Sequence, residues 1–200
     1  MSCFRIEALR FLDLEPINLS IEPGECIALS GPSGSGKTMM LRSIADLDLH
    51  EGRIFLNDKA CESFDAPDWR RRVSLLPAES GWWFDHVGPH MPNVQGDCLN
   101  RLGFDVDVMN WAIRRLSTGE RQRLSFLRLL ENEPMVLLLD EPTSGLDAAN
   151  AKEVELMVAE YKHKMEAPVI WVSHDPDQIH RIADRAFTFS GKQLTESSKR

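Results

Sequence analysis

The 200-residue chain lacks any long apolar run. No segment approaches the ~18 consecutive apolar residues that a membrane-spanning helix needs, so we expect no such helix. The N-terminal segment carries Arg5 and Glu7 where a secretory signal would have an apolar stretch, so we expect no export signal. These features predict a cytoplasmic protein that reaches a membrane only through a partner.

Cysteine is also scarce. The four cysteines show neither the paired spacing of a metal site nor the density of a disulfide scaffold. They are Cys3, Cys26, Cys61 and Cys98. We expect them to be reduced, structural thiols.

Positive charge is in deficit, with 23 lysines and arginines against 31 aspartates and glutamates and a net charge of −8. Such a field repels polyanions, so we expect no nucleic-acid partner. A small anionic ligand would need a locally positive pocket. Hydrophobic residues at 42 % and charged residues at 27 % are ordinary for a soluble globular chain and disfavour disorder.

Short apolar runs alternate with helical patterns along most of the chain. Strands are predicted over 17–21, 26–30, 54–56, 73–76, 135–139, 169–172 and 186–189, and helices from Lys37, over 124–130, over 154–161 and from Pro176. The run 135–139 is unbroken, which is typical of a buried strand in a parallel sheet. The alternation predicts an α/β fold with a mostly parallel central sheet flanked by helices. Ligands bind such sheets at the carboxyl ends of the strands.

Residues 77–110 differ from the rest in being rich in proline and glycine and in holding two adjacent tryptophans. This composition predicts a compact, irregular insertion with little regular helix before Val108.

The clearest motif follows the strand 26–30 and matches GxxxxGK[ST], the pattern of a phosphate-binding loop. It consists of Gly31, Pro32, Ser33, Gly34, Ser35, Gly36, Lys37 and Thr38. The glycines let backbone N–H groups turn toward a phosphate, and the start of a helix adds its dipole. Lys37 supplies a cation for the β- and γ-phosphates, and the Thr38 hydroxyl is placed to bind Mg²⁺. Met39 stands where a second hydroxyl residue is common, so only its backbone N–H is expected to contact the nucleotide.

A second acidic motif ends the run 135–139. Asp140 is predicted to hold Mg²⁺ through its water shell, and Glu141 to orient or deprotonate the attacking water. His174 follows the strand 169–172, from which it could reach the γ-phosphate. The structural alternatives are a strand that merely ends in a polar turn and a histidine that only caps or covers the surface.

The segment LSTGE at 116–120 precedes another predicted helix. In isolation, Ser117 and Glu120 form an S-x-x-E capping box, which starts many helices. Here the segment lies 20 residues before Asp140 and ahead of SGLD at 144–147 and the histidine that follows. This ordered set of motifs, which spans essentially the whole chain, resembles the nucleotide-binding domain of ATP-binding cassette (ABC) ATPases.

The resemblance implies a P-loop NTPase that binds ATP and Mg²⁺ and works as a head-to-tail dimer, either a homodimer or a pseudo-dimer with another ABC ATPase subunit. Ser117 and the Gly119 N–H of one subunit would donate to the γ-phosphate held by its partner, and Glu120 completes this signature. Asp147 would lie at the dimer interface. Phe11 is the best candidate for the aromatic side chain expected to stack on adenine.

One ABC ATPase domain is expected over 1–200. Its catalytic lobe would comprise 1–76 and 124–200, including a small N-terminal antiparallel β part. A shortened helical lobe with the signature would comprise 77–123.

The chain departs from the resemblance at one position. ABC ATPases normally have a glutamine that senses the γ-phosphate and Mg²⁺ and links the nucleotide state to the membrane partner. Ala78 occupies this position and has no polar side-chain atom. Either Glu79 takes over through water, or the coupling is altered.

Trp82, Trp83 and Phe84 follow this altered loop, on the surface where ABC transporters receive their membrane subunits. These rings are a partner site if they are exposed, and the core of a small lobe if they are buried. His86 and His90 are four residues apart, but a glycine and a proline between them exclude a helical metal pair.

Three functions fit these residues. The favoured one is an ATPase subunit, peripheral on the cytoplasmic face of a membrane, that powers transport through a separately encoded multi-span membrane protein. The second is a soluble ABC-type ATPase that remodels a protein or nucleic-acid complex, although such relatives usually carry two cassettes or a long coiled coil. The third is a module that holds ATP without hydrolysing it, which the set of Lys37, Asp140, Glu141 and His174 disfavours.

Overall fold

The structure, a computed structural model, describes residues 3–197, which form two β-sheets and six α-helices. The strands are β1 Phe4–Arg10, β2 Ile17–Ile21, β3 Cys26–Ser30, β4 Glu51–Leu56, β5 Lys59–Ala60, β6 Val73–Leu76, β7 Val136–Asp140, β8 Val169–Val172, β9 Arg185–Ser190 and β10 Gln193–Ser197. The helices are α1 Lys37–Ile44, α2 Ala66–Arg72, α3 Gly96–Arg101, α4 Thr118–Glu131, α5 Ala148–Met165 and α6 Pro176–Ile182. None of these described helices combines the length and the apolar character that crossing a bilayer requires.

A six-stranded sheet in the order β10-β9-β3-β8-β7-β6 forms the centre of the molecule. Its inner strands are parallel, and only β10 pairs antiparallel, with β9 at one edge. Every residue of β7 and β8 is buried, as expected for unbroken apolar runs between two layers. Because the parallel strands end at the same edge, the loops after β3, β7 and β8 lie together.

Alternate residues of the central strands enter two core clusters on opposite faces of the sheet. Leu138 and Ile170 join a cluster that contains α1 and the antiparallel sheet. Leu137 and Trp171 join a cluster that contains α3, α4 and α5. The α/β fold with a mostly parallel sheet flanked by helices is therefore confirmed.

The second sheet, in the order β2-β1-β4-β5, is the small antiparallel part expected near the N-terminus. Its register shifts near Ala8, which has a positive φ of 48°. A Cβ at the facing Gly52 would lie 2.4 Å from the Ala8 carbonyl oxygen, so only glycine fits this close approach.

The segment between β6 and α4 is mostly irregular, as predicted. It contains 3-10 helices at Gly88–His90, Val106–Asn110 and Ile113–Arg115. The sequence did not indicate α3, because six residues that begin with glycine and bury only Leu99 give too short an apolar pattern.

Candidate nucleotide site

The phosphate-binding loop lies at the carboxyl end of β3, in the middle of the central sheet, and leads directly into α1. Gly31, Gly34 and Gly36 have φ angles of 137°, 77° and 102°, in the region that favours glycine. Gly36 caps α1 without any side-chain hydrogen bond, so the first N–H groups of this helix remain available. Ser35 adds a buried hydroxyl without a hydrogen-bond partner among the described residues. The free N–H groups of α1 and the Ser35 hydroxyl can both donate hydrogen bonds to an anion.

Lys37 folds its side chain back into this loop. The side chain is buried, and Nζ donates to the carbonyl oxygens of Gly31 and Pro32 at 2.9 Å each. Burial lowers the pKa of Lys37, while the charges of Glu141 and Asp140 partly offset that effect. The ammonium is thus held inside the loop by two carbonyl contacts that phosphate oxygens can replace.

Thr38 and Asp140 meet across the gap between α1 and β7. Thr38 Oγ1 donates to Asp140 Oδ2 at 2.8 Å, and Asp140 is only 2 % exposed. Burial raises the pKa of Asp140 despite this hydrogen bond. A hydroxyl and a desolvated carboxylate in contact are oxygen ligands that fit Mg²⁺, whose charge would compensate the buried carboxylate.

Glu141 and His174 are brought together by the ends of β7 and β8. Glu141 has a left-handed φ of 49°, and its N–H donates to the Val172 carbonyl at 3.2 Å. Its Oε1 lies 2.9 Å from His174 Nε2. Both side chains are partly exposed and line an open cleft of about 660 Å³, so a water molecule can approach them.

Gln178 is a buried residue of this site that the sequence did not indicate. Its Oε1 accepts from Ser173 Oγ at 2.8 Å, and its Nε2 donates to Thr143 Oγ1 at 2.9 Å and to Glu155 Oε1 at 2.8 Å. Thr143 follows Glu141 closely, and Ser173 directly precedes His174. Gln178 therefore ties the loops after β7 and β8 to each other, a role that no local pattern reveals.

The LSTGE segment starts α4 through the capping box that its residues predict. Ser117 Oγ accepts from the Glu120 N–H at 3.2 Å and donates to Glu120 Oε2 at 2.8 Å, and the same Oε2 accepts from the Ser117 N–H at 2.7 Å. These hydrogen bonds lower the pKa of Glu120. Within one chain, the Ser117 hydroxyl is thus already used by Glu120.

The SGLD segment packs against this helix start. A Cβ at Gly119 would lie 3.4 Å from Leu146 Cδ2 and 3.5 Å from the Gly145 carbonyl oxygen. Asp147 caps α5, because its Oδ1 accepts from the Asn150 N–H at 2.9 Å. The two segments that the resemblance assigns to a dimer interface are therefore neighbours.

The prediction for Phe11 needs correction. The side chain is 4 % exposed and belongs to the core, where its Cε2 would lie 3.3 Å from a Cβ placed on Gly36. A ring buried in this way has no open face for adenine. The adjacent Leu12, which has a positive φ of 52°, is 67 % exposed. Leu12 is therefore the accessible apolar side chain next to Phe11.

Around the altered loop, Ala78 and Glu79 are both exposed. Of the aromatic residues that follow, one packs against the core and two are exposed on the surface. Trp82 packs against the second core cluster, whereas Trp83 and Phe84 are 67 % and 49 % exposed.

Comparison with known proteins decides the family of this chain. Residues 14–144, more than half of its length, match the family model described as ABC transporter. The chain belongs to the ABC transporter family. The P loop and the two acidic residues at the end of β7, Asp140 and Glu141, both fall within the matched range.

Curated relatives of this ABC protein are ATP-binding subunits. It is 32 % identical to the phosphate import ATP-binding protein PstB of Aeropyrum pernix, over 90 % of this chain and 82 % of that protein. It is also 32 % identical to the probable iron export ATP-binding protein FetA of Escherichia coli, over 88 % of this chain and 83 % of that protein. ABC ATP-binding proteins hydrolyse ATP, so the expectation that this chain is an ATPase is confirmed.

Solved structures of ABC proteins share the fold. CbiO1 of Clostridium perfringens, described as part of the ABC transporter complex CbiONQ, superposes with a TM-score of 0.78 at 22 % identity, over 96 % of this chain and 86 % of that one. A dimeric, post-hydrolysis ATP-binding cassette with ADP and phosphate bound, MJ0796, gives a TM-score of 0.76 at 22 % identity, over 98 % and 99 %. The expected P-loop NTPase architecture is confirmed.

Proposed function

We propose that this chain is the ATP-hydrolysing subunit of a transporter, that it dimerises head to tail around two MgATP, and that the dimer drives a separately encoded membrane subunit. The observation that supports this most is the contact between Glu141 and His174 at the strand ends beside the P loop. It pairs a carboxylate able to accept a proton with a ring nitrogen able to orient it, in a cleft open to water.

The P loop would bind the phosphates of ATP. The N–H groups at the start of α1 and the Lys37 ammonium would hold the β- and γ-phosphates, and the unpaired Ser35 hydroxyl is suited to a phosphate oxygen. Lys37 would exchange its two carbonyl contacts for contacts with phosphate oxygens, in which both partners are charged. The exposed Leu12, rather than Phe11, would cover one face of adenine.

Thr38 and Asp140 would hold Mg²⁺, directly or through its water shell. When bound, the ion neutralises charge on the β- and γ-phosphate oxygens. The hydrogen bond between these two side chains supports this assignment, because it holds the two oxygens next to each other.

Glu141 would orient the attacking water and accept its proton. His174 contacts the carboxylate of Glu141 and would turn its N–H to the γ-phosphate once ATP is bound. Gln178 would keep the two loops that carry these residues in register.

The dimer contacts would come from the start of α4. Ser117 Oγ would release Glu120 and donate to the γ-phosphate held by the other subunit, together with the Gly119 N–H. The proximity of SGLD to Gly119 supports a single interface that contains both segments.

A membrane partner is supported by the relatives, which are named as import and export ATP-binding proteins, and by CbiO1, which is part of a transporter complex. In this proposal the chain is peripheral on the cytoplasmic face of the membrane.

Affinity purification of the tagged Glu141→Gln protein from native cells, with MgATP and after mild detergent extraction, tests this function. The substitution keeps the shape of the side chain but removes the base, so the ATP-bound dimer and any complex built on it should persist. Recovery of a stoichiometric multi-span membrane protein is the expected result. A bare dimer, or soluble partners only, would overturn the transport assignment and favour a remodelling ATPase.

Two matched controls sharpen this experiment. Glu62→Gln makes the same chemical change at an exposed carboxylate outside the site and should behave as the wild type. Lys37→Ala should abolish nucleotide-dependent recovery and provides the blank for a steady-state ATPase assay. Wild-type activity no higher than that blank would contradict hydrolysis.

A further inference from the structure

Gln178 of α6 lies in the middle of a chain of side-chain hydrogen bonds that ends at Glu155 of α5. Its Nε2 donates to Glu155 Oε1 at 2.8 Å and to Thr143 Oγ1 at 2.9 Å. On the other side, its Oε1 accepts from Ser173 Oγ at 2.8 Å. Ser173 Oγ in turn accepts from the Asp175 N–H at 3.1 Å. The chain therefore runs from α5 to the loop after β8.

Most of this chain is shielded from water. Gln178 and Ser173 are 6 % and 4 % exposed, and the side chain of Glu155 is 9 % exposed. A buried donor needs an acceptor within the protein, because leaving it unpaired costs its full desolvation. The direction of each hydrogen bond in the chain is therefore constrained by its neighbours.

Glu155 is the member of the chain that fixes this direction. Ser173 and Thr143 carry hydroxyls, which can donate or accept, so they would tolerate either orientation of the Gln178 amide. A carboxylate can only accept, so Glu155 requires the NH₂ group of that amide on its own side. The amide oxygen then faces Ser173, whose hydroxyl must donate to it and keeps a lone pair for the Asp175 N–H.

Arg181 of α6 holds Glu155 ionised. Its Nη2 donates to Glu155 Oε1 at 2.9 Å and its Nε to Oε2 at 3.2 Å. These hydrogen bonds raise the pKa of Arg181. An arginine that donates to both oxygens favours the charged carboxylate and fixes its plane, so Glu155 remains an acceptor toward Gln178.

The loops held by this chain carry the two groups proposed for catalysis. Thr143 lies two residues after Glu141, and Ser173 and Asp175 flank His174. The side chains of Glu141 and His174 are 33 % and 49 % exposed, so little packing restrains them. Their contact at 2.9 Å therefore depends on the positions of the two loops.

We propose that Glu155 is a positioning residue for ATP hydrolysis, because its carboxylate sets the direction of the hydrogen bonds through Gln178 that hold the loop of His174. Without this carboxylate the amide could take two orientations, one of which leaves the Ser173 hydroxyl without an acceptor. The loop after β8 would then no longer be held in one position against Glu141. This inference rests on the roles proposed above for Glu141 and His174.

Glu155→Gln tests this inference, since it keeps the shape of the side chain and replaces one acceptor oxygen by an NH₂ group. The kcat of ATP hydrolysis should fall about tenfold or more, because the reacting groups are misplaced. The affinity for ATP should change by less than about twofold, because the P loop is untouched. Urea unfolding at the assay temperature measures the folded fraction, and a loss of kcat that only follows this fraction would overturn the proposal.

Glu153→Gln is the matched control. Glu153 also lies on α5 and also pairs with an arginine, Arg101 at 2.6 Å, but this ion pair is not part of the chain that contains Gln178. The control should keep the wild-type kcat. If Glu155→Gln keeps it as well, or if both variants lose it equally, the assignment of Glu155 is wrong.

A reciprocal double variant separates the direction of the hydrogen bonds from the ion pair with Arg181. Combining Glu155→Gln with Gln178→Glu moves the carboxylate one step along the chain, where it can still accept from the hydroxyls of Ser173 and Thr143 and from the new amide at position 155. The double variant should recover kcat to within about threefold of the wild type, although Arg181 has lost its carboxylate. A double variant as slow as Glu155→Gln would overturn the proposal.

Parallel assays of Glu141→Gln distinguish failure of this inference from failure of the proposed function. If Glu141→Gln keeps most of its activity, the proposed roles of Glu141 and His174 are overturned, and the inference on Glu155 falls with them. If Glu141→Gln loses its activity while Glu155→Gln keeps the wild-type kcat, only the inference on Glu155 is overturned.

Discussion

At the residue scale, the chemistry depends on the side chains that follow the parallel strands. Asp140 is buried and bonded to Thr38, whereas Glu141, the next residue, is partly exposed and contacts His174. The left-handed φ of Glu141 turns the two neighbouring carboxylates into different surroundings, in keeping with the metal-binding role proposed for Asp140 and the proton-accepting role proposed for Glu141. Both roles could be proposed from the sequence, because Asp140 and Glu141 directly follow the apolar run 135–139.

Glu141→Gln should lower kcat by about 10²–10⁴, because it removes the proposed base while the P loop stays intact. The affinity for ATP should change by less than about twofold. Single-turnover hydrolysis and equilibrium nucleotide binding measure the two effects, with Glu62→Gln as the control. A variant that keeps most of its activity would show that another group accepts the proton.

Asp140→Asn should stabilise the nucleotide-free protein. Burial raises the pKa of Asp140, so its charge weakens folding as the pH rises from the pKa of unfolded aspartate through the raised folded value. Removal of this charge should raise the Tm at neutral pH by about 2–4 °C, for a gain on the order of 1 kcal/mol. Below the pKa of an unfolded aspartate, ~3.9, the gain should vanish.

Calorimetry at both pH values measures this effect, with the exposed Asp85→Asn as the control. The same variant should lose the stabilisation that MgATP gives the wild type, because a metal ligand is missing. A lower Tm of the nucleotide-free variant at neutral pH would contradict the assignment.

At the element scale, side-chain hydrogen bonds fix the start of α4 and the loops after β7 and β8. The capping box of α4 could be predicted from Ser117 and Glu120 because it is local in sequence. The links of Gln178 to Thr143 and Ser173 could not, since they join loops that only the sheet brings together.

Gln178→Leu should uncouple these loops. It leaves the Thr143 and Ser173 hydroxyls and Glu155 without their buried partner, which should lower the free energy of unfolding by about 1–3 kcal/mol. We expect kcat to fall while the affinity for ATP stays close to the wild-type value, because the P loop is not touched. Urea unfolding and steady-state ATPase assays measure both, and the exposed Gln95→Leu is the control.

Substitutions at Ser117 separate the helix cap from the proposed phosphate contact. Ser117→Ala should lower the free energy of unfolding by about 1 kcal/mol, whereas Ser117→Asn, which keeps a capping oxygen, should stay within about 0.5 kcal/mol of the wild type. Both should reduce MgATP-dependent dimerisation, because neither retains the hydroxyl. Full dimerisation of both variants would place the γ-phosphate contact elsewhere.

At the scale of the whole molecule, the mostly parallel central sheet was predictable because the apolar runs of β3, β7 and β8 alternate with helical patterns. The small antiparallel sheet was expected only from the resemblance to ABC ATPases. β1 was not predicted, since its alternation of apolar and charged residues covers only 4–7 before the register shift near Ala8 breaks it. The burial of Phe11 depends on packing between distant segments, which composition and spacing do not encode.

The central claim is that MgATP joins two copies of this chain. Light scattering on the Glu141→Gln protein, with and without MgATP, tests it most directly, and ATP without Mg²⁺ and the Lys37→Ala variant serve as controls. The account predicts the mass of a dimer with MgATP and of a monomer in every other sample. A monomer at saturating MgATP, or a dimer that forms without nucleotide, would contradict it.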